Sequence, residues 1–294
     1  MRVLITGSNG QLGSEIKELA ANYKKFDFVF KDLPELDICS FEALQAFIID
    51  YNINIIINCA AYTAVDKAEE DAVIAEKVNS NGVLNLVNAL QTVNGKLIHI
   101  STDYVFDGDH FSPYKESDPV TPIGVYGETK REGELAVINS DIDSIVIRTS
   151  WLYSSYGNNF VKTMLRLGSE KENLGVIFDQ IGTPTYARDL AKTCLDILVY
   201  SKETNMNSNG NLYHFSNEGV ASWYDFAIAI MTLGKVNCHV KPIETKDYPT
   251  PAKRPHFSVL NKSKIKNDFE INIPYWRDSL AKCIIKLNKK LNKK

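Results

Sequence analysis

Met1-Arg2-Val3-Leu4-Ile5-Thr6-Gly7-Ser8-Asn9-Gly10-Gln11-Leu12-Gly13 is an apolar strand running into glycines at positions 7, 10 and 13, with a helical pattern that begins near Ser14. Each glycine has a use at such a turn. Gly7 allows the tight bend, Gly10 lets backbone approach a pyrophosphate, and Gly13 lets helix and strand pack closely, with phosphates at the helix N-terminus. The G-x-x-G-x-x-G spacing differs from G-x-G-x-x-G, but its place at the first βα turn supplies the context that a dinucleotide site requires.

Outward from that turn, apolar β-rich runs at residues 2–6, 26–31, 53–58, 96–101, 144–148 and 174–178 alternate with helical patterns. Ile53-Asn54-Ile55-Ile56-Ile57 is nearly continuous in isoleucine, as burial on both faces requires. Alternation with helices implies parallel strands joined by right-handed crossovers. The fold class is therefore α/β, a doubly wound parallel sheet of Rossmann type. Residues 1–150 read as the dinucleotide-binding core with 172–200 returning to it, and residues 151–171 and 201–294 as a smaller C-terminal substrate-binding lobe. Ligands bind such sheets outside the carboxyl ends of the strands where strand order reverses, so the first and fourth strands are expected to flank the crevice. The second run ends in Lys31 and Asp32, which point opposite ways on the cofactor: the acid suits a ribose hydroxyl, the base a 2′-phosphate.

Two motifs carry chemistry. In Val125-Tyr126-Gly127-Glu128-Thr129-Lys130 the i, i+4 spacing puts the phenol and the ammonium on one helix face, where the cation favours phenolate and makes the phenol a better acid. That pair is equipped to protonate a carbonyl oxygen. Upstream, Ser101-Thr102-Asp103 ends the fourth run, so the Thr102 hydroxyl can hydrogen-bond the same oxygen or close a local side-chain turn. Tyr-x-x-x-Lys alone also describes an ordinary half-exposed helix face; the glycine turn gives it meaning.

Composition limits the alternatives. A chain of 294 residues with 44% hydrophobic content buries a substantial core, and a net charge of −3 from 33 basic and 36 acidic residues gives no global field for nucleic acid or an anionic membrane. The basic run Lys286, Lys289, Lys290, Lys293 and Lys294 reads as a frayed, solvated helix end. No leader precedes the first strand and no apolar run is long enough to span a bilayer, which points to a cytoplasmic protein. Five cysteines without C-x-x-C spacing read as reduced thiols, five histidines form no i, i+4 pair, and no metal centre is expected. Polar loops are expected at 154–159 and 203–210, and the proline-rich stretch 248–255 holds Arg254 in a form suited to phosphate.

Taken together, residues 7–13, Asn58-Cys59-Ala60-Ala61-Tyr62-Thr63-Ala64-Val65-Asp66-Lys67-Ala68-Glu69, 101–108, 126–130, Arg148-Thr149-Ser150-Trp151, 157–160, 179–185 and Thr250-Pro251-Ala252-Lys253-Arg254-Pro255 resemble the extended short-chain dehydrogenases/reductases and, within them, the dTDP-4-dehydrorhamnose reductase family. The resemblance runs from Met1 to the final helix. It implies reduction of the C4 ketone of dTDP-4-dehydro-L-rhamnose by NADPH or NADH, the last step to dTDP-L-rhamnose, with Thr102, Tyr126 and Lys130 as catalytic residues. It implies cofactor contacts from Gly7, Gly10, Gln11, Leu12, Gly13, Asp37, Ile38, Ala60, Ala61 and Tyr62, besides Tyr126, Lys130 and the strand-end Asp32. Contacts to the dTDP-sugar partner fall on Thr102, Asp103, Trp151, Asn159 and Arg254. Thr102 in place of the superfamily's usual serine is the family's habit; Cys59 stands where alanine is common. Some members form metal-bridged dimers through acidic residues that do not align here, so Mg2+ at a dimer interface is not predicted and monomer and homodimer both stay open. Two other readings share the scaffold: a nucleotide-sugar epimerase or dehydratase holding NAD tightly, and a non-catalytic cofactor-binding subunit resembling that of methionine adenosyltransferase.

Overall fold

The computed structural model describes residues 1–204 and 211–291. Its strands are β1 (Arg2–Thr6), β2 (Asp27–Phe30), β3 (Ile55–Asn58), β4 (Lys96–Thr102), β5 (Asp143–Thr149), β6 (Leu152–Tyr153), β7 (Asn173–Ile177), β8 (Ile181–Gly182), β9 (Thr185–Tyr186), β10 (Asn211–His214), β11 (Ala221–Ser222) and β12 (His239–Ile243). The helices are α1 (Gln11–Leu19), α2 (Phe41–Asp50), α3 (Val65–Ala68), α4 (Ala72–Glu76), α5 (Gly82–Gln91), α6 (Val125–Ile138), α7 (Phe160–Glu170), α8 (Ala187–Thr204), α9 (Trp223–Gly234), α10 (Ser263–Phe269) and α11 (Trp276–Leu291).

Six parallel strands form the central sheet in the order β10-β5-β4-β3-β1-β2. Alternate residues of each strand point to opposite faces. Val3, Ile5, Ile55 and Ile57 pack under α1, α8 and α10 with Ile16, Leu195 and Phe269. Leu4 and Ile56 pack on the other face with Leu44, Val83, Leu86 and Val137 of α2, α5 and α6. Both faces are covered, which is why these strands are apolar throughout. A separate core around Tyr153, Met164, Phe226 and Trp276 joins α7, α9 and α11 to β7 and β12.

Several sequence expectations shift. The third strand, not the fourth, neighbours β1, because the chain lays a single strand, β2, on one side of β1 before crossing to the other. The switch point thus lies between β1 and β3, with β4 one strand further. The 174–178 run is a strand of another sheet: β7 pairs in parallel with β12. The edge strand of the central sheet beyond β5 is instead β10, four residues from the stretch assigned to the substrate lobe. α1 begins at Gln11 rather than near Ser14, so Gly13 lies in its first turn. Residues 205–210 of the expected 203–210 loop, and Lys293 and Lys294, lie outside the described residues.

The basic end of α11 is put to use. Lys286 Nζ donates to Glu15 Oε2 at 2.7 Å and Glu18 Oε2 at 2.6 Å on α1, and Lys290 Nζ lies 3.3 Å from the centroid of Tyr156. Acidic residues on α1 supply partners that a reading of the tail alone lacks. No helix of the described residues is long and apolar enough to cross a membrane.

Candidate active site

A cleft of about 910 Å³ opens over the carboxyl ends of β1, β3, β4 and β5. Gly7, at φ +59°, takes a left-handed conformation, and a Cβ there would fall 2.6 Å from Ala60 N. A Cβ at Gly13 would fall 2.5 Å from Gly7 O. Bare backbone is therefore required where α1 meets the loop. Gly10 caps α1 without a side chain, leaving first-turn N–H groups and the helix dipole turned to the cleft. Such a cradle fits the pyrophosphate of a dinucleotide.

The remaining cofactor candidates lie along the same wall. Asp32, Asp37, Ile38, Ala60, Ala61 and Tyr62 all line the cleft, as do Gln11 and Leu12. Asp37 Oδ1 accepts the Cys39 N–H at 2.9 Å, and Tyr62 is fixed through its backbone by the Asn79 carboxamide at 2.9 and 3.1 Å.

Thr102, Tyr126 and Lys130 converge at the inner end. Thr102 closes β4, while Tyr126 and Lys130 occupy the first two turns of α6. Glu69 holds the start of that helix, its Oε1 accepting the Val125 N–H at 3.1 Å. Lys130 is 2% exposed and donates to Ile100 O at 2.7 Å. The Thr102 hydroxyl donates to Asp103 Oδ1 at 3.1 Å and accepts the Tyr104 N–H at 3.2 Å.

Burial governs the electrostatics. It pushes the Tyr126 phenol up to about 12, with the Thr102 hydrogen bond opposing and the Asp103 carboxylate adding. It pulls Lys130 down to about 8, against the attraction of Glu134. Asp103 is driven up to about 6 by burial, against hydrogen bonds from Ser258 and Thr102. An acidified phenol, expected from the spacing, is not what this arrangement gives: desolvation sets the direction, and the Lys130 ammonium is not among the groups that shift the phenol.

On the opposite wall Trp151, at φ +47°, stacks on Trp223 with centroids 3.6 Å apart and planes 10° apart. Asn159 is committed to the framework. Its Oδ1 caps α7 by accepting the Lys162 N–H at 3.2 Å, and its Nδ2 donates to Gln11 Oε1 at 2.9 Å and Ser154 O at 2.8 Å. Arg254 is not itself among the lining residues but lies close enough to cleft-lining Tyr104 to act on it, with its Nη2 paired with Asp66 Oδ2 at 2.8 Å and its Nη1 donating to Ala252 O at 3.3 Å. Thr102, Asp103, Trp151 and Asn159 thus line one cleft, and Arg254 sits behind its Tyr104 wall.

Beneath the site, sequence reading missed a buried pair. Glu134, four residues after Lys130, receives Arg148 Nε on Oε1 and Nη2 on Oε2, both at 2.7 Å, and neither side chain is exposed. The i, i+4 step from Lys130 marks Glu134, and a lone arginine in the apolar run of β5 marks its partner.

Residues 1–289 match the family model described as RmlD substrate binding domain. The chain belongs to the RmlD family. An RmlD relative from Aggregatibacter actinomycetemcomitans, dTDP-4-dehydrorhamnose reductase, is 43% identical over 288 residues, covering 95% of this chain and 97% of the relative. Among solved structures, a dTDP-4-dehydrorhamnose reductase from Clostridium acetobutylicum superposes with a TM-score of 0.91 at 41% identity, covering 98% of this chain and all of that one. The Bacillus anthracis enzyme of the same name, in complex with NADP, gives a TM-score of 0.90 at 38% identity, with 97% and 99% covered.

Proposed function

We propose that this RmlD protein reduces the C4 ketone of dTDP-4-dehydro-L-rhamnose to dTDP-L-rhamnose, using NADPH or NADH. The observation that carries it is the meeting of the glycine cradle with Thr102, Tyr126 and Lys130 in one cleft. The names of the relatives at 38–43% identity supply the substrate.

The α1 cradle would hold a reduced nicotinamide dinucleotide by its pyrophosphate, and that group, when bound, would supply the hydride for C4. Tyr126, which keeps its proton across the neutral range, gives that proton to the oxygen as it becomes an alkoxide. Thr102 turns its hydroxyl to the same oxygen, and Lys130 stabilises the phenolate left behind. Trp151 offers the sugar an apolar wall, and Asp103 orients Thr102. Arg254 reaches the diphosphate only after exchanging Asp66 for it, an ion-pair swap that costs little at a partly exposed site. We place this reaction in the cytoplasm, with a dTDP-sugar as partner and no nucleic acid or membrane.

Purified protein given dTDP-4-dehydro-L-rhamnose and either reduced cofactor should oxidise one nicotinamide per dTDP-L-rhamnose formed. Binding of both ligands with no turnover would overturn the reductase reading in favour of a non-catalytic subunit.

A further inference from the structure

Among the described residues, Trp151 is the only cleft-lining residue besides glycine whose backbone is left-handed. The other such residues, Asn52, Asn94, Lys235 and Glu270, follow the last turns of helices, where that conformation is ordinary. A bulky side chain in this region is strained, and it persists only where the surroundings over-determine it.

Three contacts do so for Trp151. Its carbonyl accepts the Thr185 N–H at 3.1 Å. Gly182 turns bare backbone to its ring, since a Cβ there would fall 2.6 Å from Cε2 and 2.8 Å from Cζ2. Trp223 lies flat on it, backed in turn by Phe160 with ring centroids 4.7 Å apart. Trp223 is itself firmly placed. It opens α9 behind a capping box in which Ser222 Oγ accepts the Asp225 N–H at 3.0 Å and Asp225 Oδ2 accepts the Ser222 N–H at 2.9 Å. The strand β11 that ends at Ser222 pairs with β8, so one strand pair brings both Gly182 and Trp223 to the Trp151 indole. Trp223 does not line the cleft.

We propose that Trp223 is a positioning residue for the sugar nucleotide, holding the Trp151 indole in the orientation that the substrate meets. The inference rests on the reductase reading above and adds what keeps its sugar wall in place. Without the stack the indole is free to take other rotamers, and ordering it would then oppose binding of the sugar nucleotide.

Steady-state kinetics with dTDP-4-dehydro-L-rhamnose and calorimetry with dTDP-L-rhamnose test it. Trp223→Ala should raise KM and weaken product binding by about tenfold, the scale of one aromatic pair. Its kcat should fall by less than about threefold and its dinucleotide affinity should hold, since the α1 cradle is built without either indole. Trp223→Phe keeps a flat ring and should recover most of the loss, whereas Trp223→Leu should not. In a Trp151→Ala background, Trp223→Ala should add nothing, because its effect runs through that indole. An unchanged KM in Trp223→Ala, an undiminished loss in the Trp151→Ala background, or equal weakening of dinucleotide and dTDP-L-rhamnose overturns the proposal. Should Trp223→Ala fail to fold, Phe and Leu variants with the same KM overturn it equally. Wild-type protein that neither turns over nor binds dTDP-L-rhamnose removes the reductase reading and the proposal with it.

Discussion

Tyr126 and Lys130 are tuned in opposite directions by the same cause. The phenol, up at about 12, is a proton donor throughout the neutral range. Tyr126→Phe should lower kcat by about two orders of magnitude or more while leaving the affinities for dinucleotide and dTDP intact, because only transition-state proton transfer is removed. Turnover near the wild-type rate would exclude the role. Lys130, down at about 8, is charged below that pH and neutral above it. Since kcat/KM reports the free enzyme, it should fall as pH rises through about 8, and Lys130→Arg, charged at every accessible pH, should lose that alkaline limb even at a reduced rate. A wild-type profile that stays flat well above this pH would sink the assignment. The i, i+4 spacing made the pairing on one face legible. It could not show depth: burial of both groups comes from layers assembled far apart in sequence, and it reverses the expected direction for the phenol.

At the scale of elements, α6 is pinned at both ends. Glu69 holds its first turn, and the Glu134–Arg148 pair ties its third turn to β5, whose next residues, Thr149, Ser150 and Trp151, form the cleft wall. Arg148→Met would leave the fully buried Glu134 carboxylate with Arg131, at 2.9 Å and partly exposed, as its remaining ion-pair partner, and should cost about 3 kcal/mol in urea unfolding. Adding Glu134→Leu should recover most of that loss, since an apolar replacement for both partners leaves no unpaired charge. A double variant no more stable than Arg148→Met would mean that packing, not charge, sets the cost. Glycine spacing and strand periodicity made the central sheet readable, yet β7 and β10 were placed wrongly. A run of four or five residues shows strand tendency but carries no mark of which edge it joins; β7 found β12, and β10 found β5.

Across the whole molecule, one face of α1 is a polar seam. Gln11 meets Asn159, Glu15 meets Ser154, Arg188 and Lys286, and Glu18 meets Arg188, Lys286 and Tyr156. The helix that begins at the glycine cradle is thereby fastened to α8, α11 and the 154–159 loop. Glu15→Gln should lower the unfolding free energy by about 1–3 kcal/mol, because two cations then share a neutral partner. A double-mutant cycle with Lys286→Met should show coupling of about 0.5–3 kcal/mol, and strict additivity would refute the seam. Acid acts in the same place. Glu18 is held down to about 2 from an ordinary 4.5, with burial opposed by Lys286, Tyr156 and Arg188, so its contribution is present above the ordinary value and lost as pH falls through about 2. The individual charges of this seam are plain in the sequence. Their meeting is not, since α1 and α11 stand at opposite ends of the chain.

The Trp151–Trp223 stack has a use outside chemistry. Of the three tryptophans in the chain, two stack in parallel at 3.6 Å and one of these lines the cleft, so a coupled pair of indole transitions sits at the cleft wall. The molecule therefore carries its own optical reporter: occupancy of the cleft can be followed by circular dichroism or emission from native indoles, without a label and without waiting for turnover.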